Sequence, residues 1–272
     1  MASVKVNLSS PIPFAKPDEI YRGNHLARLR LQVQLRIASG PEQSELIKAL
    51  SNEFIRYKDR NDAEPFSIAW ISSNTTASFN HLASRSADLI ITHHVVAENI
   101  AIKQGVADRS VYAWRDHWLL VGMNLSKSIL LLNLLFSFTY ASFSYNTGPK
   151  SNPANLSTEK TTSIYDHFAQ IFLAAVETAG STHSVKFLSR YDKSAANTKE
   201  SSCWAAIGQT PWAHPHSSWY HQYTDSALAA IKVAASLGQY TLTDLGTWYT
   251  LSDEVREGMS VFVSPHYIIT MT

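Results

Sequence analysis

The chain has 272 residues, 45% hydrophobic and 17% charged, which suits two compact lobes or one large α/β domain and excludes wholesale disorder. With 23 basic and 22 acidic residues the net charge is +1, which argues against the basic face of a phosphate-backbone binder and so against a nucleic-acid partner. The single cysteine, Cys203, excludes an intramolecular disulfide and leaves the redox compartment open.

In chain order, Met1 to Pro17 lacks an apolar run and carries Pro11, Pro13 and Pro17, so it does not read as a secretory leader. Residues 1–30 are expected to form an irregular arm, and the chain as it stands reads as cytoplasmic. Val33, Leu35 and Ile37 alternate with Gln34 and Arg36, the period of a strand. Pro41 suits the first position of the helix that follows, whose apolar face is read as Leu46, Ile47, Leu50 and Phe54. The unit repeats as strands at 66–71 and 87–92 and helices at 77–83 and 97–104. Alternating strands and helices imply a mostly parallel sheet covered on both faces, with ligands beyond the carboxyl ends of the strands. The turns after Ile37 and Ile71 are therefore the first places to look. Past a crossing at 112–121, helices are expected at 164–175, 194–207 and 227–237 and strands at 185–188 and 260–263. Residues 240–250 read as a strand turning into a helix.

Ile129 to Phe143 carries no charge, yet is shorter than the roughly 20 apolar residues of a membrane-spanning helix. It reads as a buried helix, a membrane anchor, or the third alternative given below.

Three stretches carry a family resemblance. Gly238-Gln-Tyr-Thr-Leu-Thr-Asp-Leu-Gly-Thr-Trp-Tyr249 is the most specific. Phe187-Leu-Ser-Arg-Tyr-Asp-Lys-Ser194 and Asp88-Leu-Ile-Ile-Thr-His-His-Val-Val-Ala-Glu98 add order and spacing. Together they make the chain resemble the substrate-binding protein of the tungstate ABC importer, closest to its fungal homologues, over about residues 33–122 and 148–270. The resemblance implies a two-lobed periplasmic-binding-protein-like α/β fold (type II) with a ligand cleft between the lobes. Lobe I would take 31–113 and 246–272, and lobe II 114–245. The implied function is binding of a small tetrahedral oxyanion, tungstate or molybdate, as a ligand without catalysis and without a cofactor. Whether a transporter partner exists is left open.

Such an anion is doubly charged at neutral pH and only accepts hydrogen bonds. Its site needs hydroxyls, backbone N–H groups at helix N-termini, and one committed cation. Ser39 and Ser44 flank the first strand-to-helix turn, and Thr75 and Thr76 occupy the second. By match to the motif, Arg190 supplies the charge and Ser194 a further hydroxyl. Set against this, Ser39 and Thr75 also suit plain helix capping, and Arg190 a surface ion pair with Asp192. Several residues depart from the bacterial pattern. Tyr191 and Ala195 replace glycines, Ala196 replaces a threonine, Pro41 has no N–H to give, and the Glu42 carboxylate would repel an anion unless it points away. Among Trp212, Trp219, Tyr220 and Tyr223, the residues His214, His216 and His221 offer a rival reading as a metal site of an enzyme on the same fold. A degenerate copy that binds nothing is a third.

The family pattern runs from Leu119-Leu-Val-Gly122 into a Gly-Pro that here appears only at Gly148-Pro149. The Gly-Met and Thr-Gly junctions at either end can encode an in-frame splice donor and acceptor. The insert 123–147 therefore reads equally as a translated retained intron or as a buried helix. Relatives continue beyond His266–Thr272, so lobe I is expected to be truncated, with an apolar face that favours self-association.

Overall fold

The computed structural model describes residues 15–23, 33–61, 65–123, 152–157, 162–182, 184–214 and 216–263. They fall into two compact units, Met1–Tyr112 and Ala113–Thr272. The insert expected at 123–147 lies outside the described residues beyond Met123, as does the chain after Val263. Among the described residues no helix is long and apolar enough to cross a membrane.

The first unit is built on strands β1 (Glu19–Tyr21), β2 (Leu35–Ser39), β3 (Ile68–Ser72) and β4 (Leu89–Ile90), in the order β1-β3-β2-β4. β2 runs parallel to both β3 and β4, as strand–helix alternation requires, and β1 closes the edge antiparallel to β3. Helices α1 (Ser44–Arg60), α2 (Thr75–Ala83) and α3 (Val95–Lys103) connect the strands. β1 corrects the expectation of an irregular arm through residue 30. Asp18 accepts the Ser72 N–H at 2.7 Å and donates its own N–H to Trp70 at 2.9 Å, and Tyr21 is buried. A three-residue strand just after Pro17 has too little alternation to betray itself.

The buried line of α1 is Ile47, Ser51 and Ile55, whereas Leu46, Leu50 and Phe54 are 42%, 48% and 41% exposed. Of the expected face only Ile47 is buried, and the buried line continues through Ser51 and Ile55, which the apolar pattern did not include. Spacing of four along a helix makes 47, 51 and 55 one stripe whatever their polarity. Phe54 finds partial cover in an edge contact with Phe66, with the Lys58 ammonium over both rings.

The second unit holds β5 (Trp118–Met123), β6 (Phe187–Ser189), β7 (Tyr220–Gln222), β8 (Tyr240–Asp244) and β9 (Met259–Val263), ordered β7-β6-β8-β5-β9. β6 is parallel to β7 and β8, and β5 is antiparallel to β8 and β9. The helices are α4 (Ile164–Glu177), α5 (Ala195–Ala206), α6 (Ala227–Ser236), α7 (Leu245–Thr250) and α8 (Asp253–Glu257). Ala196, Glu200, Cys203 and Trp204 form the buried stripe of α5. Trp204 lies at the centre of an aromatic core, with ring centroids 4.6 Å from Phe168 and 5.2 Å from both Phe187 and Trp219.

The C-terminal stretch was expected in lobe I, but the structure puts its described part in the second unit. β9 pairs with β5, and Leu251 and Met259 pack with Leu119, Val121 and Ile231. β5 would otherwise present an open edge, and β9 satisfies its hydrogen bonds.

The α1 correction has a direct test. Ile55→Ala should destabilise the protein by about 2–5 kcal/mol through a core cavity, whereas Leu50→Ala should stay within about 0.5 kcal/mol. Urea denaturation of both variants, with Leu50→Ala the costlier, would restore the expected face.

Candidate functional site

In the first unit β2 ends at Ser39 and the chain turns through Gly40 into a 3-10 turn, Pro41–Gln43, that leads into α1. Ser39 is fully buried, and its hydroxyl oxygen accepts the Trp70 indole N–H at 2.9 Å. It caps no helix. Neither the 3-10 turn nor α1 receives a side-chain cap, and Ser44 is the first residue of α1. The Glu42 side chain folds back over the turn, so that a methyl group on Gly40 would overlap its carboxyl group. Buried Gln43 donates Nε2 to His93 Nε2 at 2.9 Å, and its Oε1 has no partner among the described residues.

The turn after β3 is tied to the first one by a Ser73 N–H bond to the Ser39 carbonyl at 2.8 Å. Here Asn74, and not Thr75, is the cap, accepting the Ala77 N–H at 2.9 Å. Thr75 and Thr76 are the first two residues of α2, half-buried and exposed respectively.

In the second unit β6 delivers Arg190 to the mouth of α5. Arg190 is 6% exposed, which corrects the surface ion-pair reading, although its partner is indeed Asp192, at 2.5 Å from Nη2. Its Nε has no hydrogen-bond partner among the described residues. Asp192 also accepts the Ser194 N–H at 3.0 Å, and Ser194 caps α5 by accepting the Asn197 N–H at 3.2 Å. Tyr191 and Lys193 take φ of +45° and +61°, the left-handed region that glycine occupies without strain.

Beneath this turn lies a group that sequence reasoning missed. Glu200 is 1% exposed, and the Tyr220 hydroxyl donates to its Oε1 at 2.7 Å while standing 2.9 Å from Ser189 Oγ. The Arg190 backbone N–H also bonds this carboxyl. Burial pushes Glu200 up to about 8, with these hydrogen bonds opposing the shift. A glutamate in a helix has no mark in the sequence that separates it from a solvated one; only the stripe Ala196, Glu200, Cys203, Trp204 points inward.

Two of the three motif stretches turn out to be largely architectural. Gly238, at φ +65°, ends α6. The Tyr240 hydroxyl bonds Asn152 Oδ1 at 2.8 Å and accepts the Ala154 N–H at 3.0 Å. The Thr241 hydroxyl bonds the Leu188 carbonyl at 2.8 Å, and Asp244 caps α7 through the Thr247 N–H at 2.6 Å. In the other stretch Asp88 accepts the Arg36 N–H at 2.8 Å, and Glu98 accepts from Thr92 and Ser110. His221 is engaged by Gln239 Nε2 at 2.8 Å. Among the described residues no group of three His, Cys, Asp or Glu side chains is placed to hold a metal ion, so the histidine reading finds no ligand set there.

The fold is therefore α/β with a mixed sheet in each unit and strand-end turns leading into helices, the architecture of periplasmic-binding-protein-like domains. A crystal structure of a periplasmic protein described as a candidate metal binder is 39% identical, with TM-score 0.68, and the match covers 85% of this chain and 74% of that one. The tungstate-binding protein TupA of Campylobacter jejuni subsp. jejuni serotype O:2 is 25% identical over 182 residues, 66% of this chain and 52% of that protein, so the chain spans about half of its length. The tungstate ABC transporter structure from Geobacter sulfurreducens is 20% identical with TM-score 0.55, over 85% of this chain and 79% of that one, a likeness of fold. No family model matches the chain. By its identity to the periplasmic candidate metal binder, the chain belongs to the family of that periplasmic protein; to the tungstate-binding proteins it is similar at lower identity.

Glu200 makes stability depend on pH. The folded state keeps its proton up to about 8, whereas an ordinary glutamate ionises near 4.5. The contribution is fully present below 4.5 and is lost as pH rises towards about 8, because the unfolded chain then releases a proton that the folded one retains. Glu200→Gln should flatten this decline and exceed wild type in stability at pH 8, on the order of a few kcal/mol. Urea midpoints from pH 5 to pH 8.5 that fall in parallel for both proteins would contradict the buried neutral acid.

Proposed function

We propose that the protein is a solute-binding protein that holds a small tetrahedral oxyanion, tungstate or molybdate, and performs no chemistry on it. The observation that carries this reading is Arg190, a buried guanidinium at the N-terminus of a 12-residue helix, held on one side by Asp192 and with Nε unpartnered among the described residues. A fixed cation beside oriented helix N–H groups is what an acceptor-only dianion needs. Asp192 orients the guanidinium by one terminal nitrogen and leaves Nε to a ligand. Ser194 adds its hydroxyl proton, since its oxygen is used as an acceptor in capping α5. In the first unit, Ser44, Thr75 and Thr76 at the two helix starts are the proposed hydroxyl donors, with Ser39 as the buried support of its turn. The names of the relatives, a tungstate-binding protein and a tungstate ABC transporter, agree with this ligand class and with delivery to a transporter.

Titration of tungstate, molybdate, sulfate and phosphate by thermal shift should reveal one preferred anion. At 100 times its dissociation constant a ligand stabilises by about 2.7 kcal/mol. Arg190→Ala should then lower affinity roughly tenfold to a hundredfold or more, the loss of a charge-assisted contact. Equal dissociation constants for wild type and Arg190→Ala in isothermal titration would remove Arg190 from the site.

A further inference from the structure

The turn after β2 already holds an anion of its own. Glu42 lies within the 3-10 turn, its side chain is only 12% exposed, and its carboxyl group occupies the space that a side chain on Gly40 would fill. A carboxylate does not leave water without compensation. Part of the compensation is local. Neither the 3-10 turn nor the 17-residue α1 is capped by a side chain, so the first-turn N–H groups and the positive helix end favour negative charge. On its other side stands His93, with Nε2 3.9 Å from Glu42 Oε1 and bonded to Gln43, whose own Oε1 is buried and unpartnered among the described residues.

We propose that Glu42 is the affinity-determining residue of this turn, a resident carboxylate that an incoming oxyanion has to displace. The inference rests on the oxyanion reading above and on the Ser44 turn in particular. A dianion brought within about 4 Å of an unmoved carboxylate meets a repulsion that weakens binding by at least about tenfold even at the effective dielectric of a protein surface. Displacement instead forfeits the contacts that keep Glu42 buried. Either way the free protein is biased against its ligand, and removing the charge relieves the bias.

Gly40 offers a second handle. Its φ of −63° and ψ of 148° are ordinary extended backbone that alanine adopts, so Gly40→Ala expels the carboxylate without deleting it. Sodium tungstate should be titrated calorimetrically into the full chain as wild type, Glu42→Gln, Glu42→Ala, Gly40→Ala and the Gly40→Ala/Glu42→Ala double variant. Both Glu42 variants should bind at least about tenfold more tightly than wild type. Gly40→Ala should also gain, and the double variant should gain no more than Glu42→Ala, because both changes remove one occupant. Tungstate binding by wild type that the two Glu42 variants leave unchanged or weaken overturns the role of Glu42 while the oxyanion reading stands. Absence of binding heat in every variant, each shown folded by circular dichroism, overturns both. Binding seen in the Glu42 variants and not in wild type supports the inference most directly.

Discussion

A guanidinium stays charged at any pH a protein meets, so burying one obliges the surrounding chain to answer its charge and its five N–H groups. Arg190 imposes that obligation at the end of β6. Asp192 answers part of the charge, and reaching it two residues along a tight turn forces Tyr191 and Lys193 into left-handed backbone. The same Asp192 accepts the Ser194 N–H, which fixes where α5 begins. Under the turn, the Glu200 carboxyl takes the Arg190 backbone N–H and is itself anchored through Tyr220 to Ser189. A second full negative charge at this depth would be costly. Burial keeps Glu200 protonated at neutral pH, and the cluster then holds a cation, one carboxylate and one neutral acid.

The first unit solves the converse problem. Its two strand-end turns open into helices whose N-termini attract negative charge, and the two turns satisfy that attraction differently. At α2 the neutral Asn74 side chain caps the helix and leaves Thr75 and Thr76 as hydroxyl bearers. At α1 no side chain caps, and Glu42 lies folded over Gly40. A neutral cap satisfies N–H groups without filling the field of the helix; a carboxylate folded beside the turn answers the field without serving as the cap. The difference between Asn74 and Glu42 is thus a difference in the charge that each turn carries.

Much of this architecture was legible from alternation alone. The strands near 35–39, 68–72, 187–189 and 240–244 with the helices that follow them, and the strand near 259–263, arise from apolar runs long enough to dominate their neighbours. β1 and β7, three residues each, were not anticipated, because their residues become strands only through the sheet edge they join. The α1 face was misread at Ser51, where tertiary packing overrides polarity. The C-terminal assignment followed a resemblance, and the hydrogen-bonding demand of the β5 edge decided otherwise. Of the candidate site, the motif brought Arg190 and Ser194 to notice, and the structure sets both at one helix start. The capping role of Asn74, the buried state of Ser39 and the proton on Glu200 depend on neighbours far along the chain, and no local pattern encodes them.

The departures from the family pattern sort by where each side chain lies. Tyr191 stands where relatives have glycine, yet it keeps glycine's backbone region at a cost on the order of 1–2 kcal/mol. Strain of that size persists only where neighbours over-determine the turn. The bonds from Ser194 N–H to Asp192, from Lys193 N–H to Asn197 and from the Arg190 backbone to Glu200 do so. The Tyr191 ring itself is 44% exposed and leaves the turn's interior unobstructed. Ala196, in place of a threonine, is buried on the inner stripe of α5, so its missing hydroxyl removes a donor from the helix interior face rather than a charge from the turn. Pro41 gives up an N–H at a first helical position, where no intrahelical acceptor was waiting for it. These three changes leave the backbone of both turns in working shape. Glu42 is of another kind, because it adds a charge of the same sign as the oxyanion proposed as the ligand, and on that proposal the strength of binding depends on where the carboxylate goes.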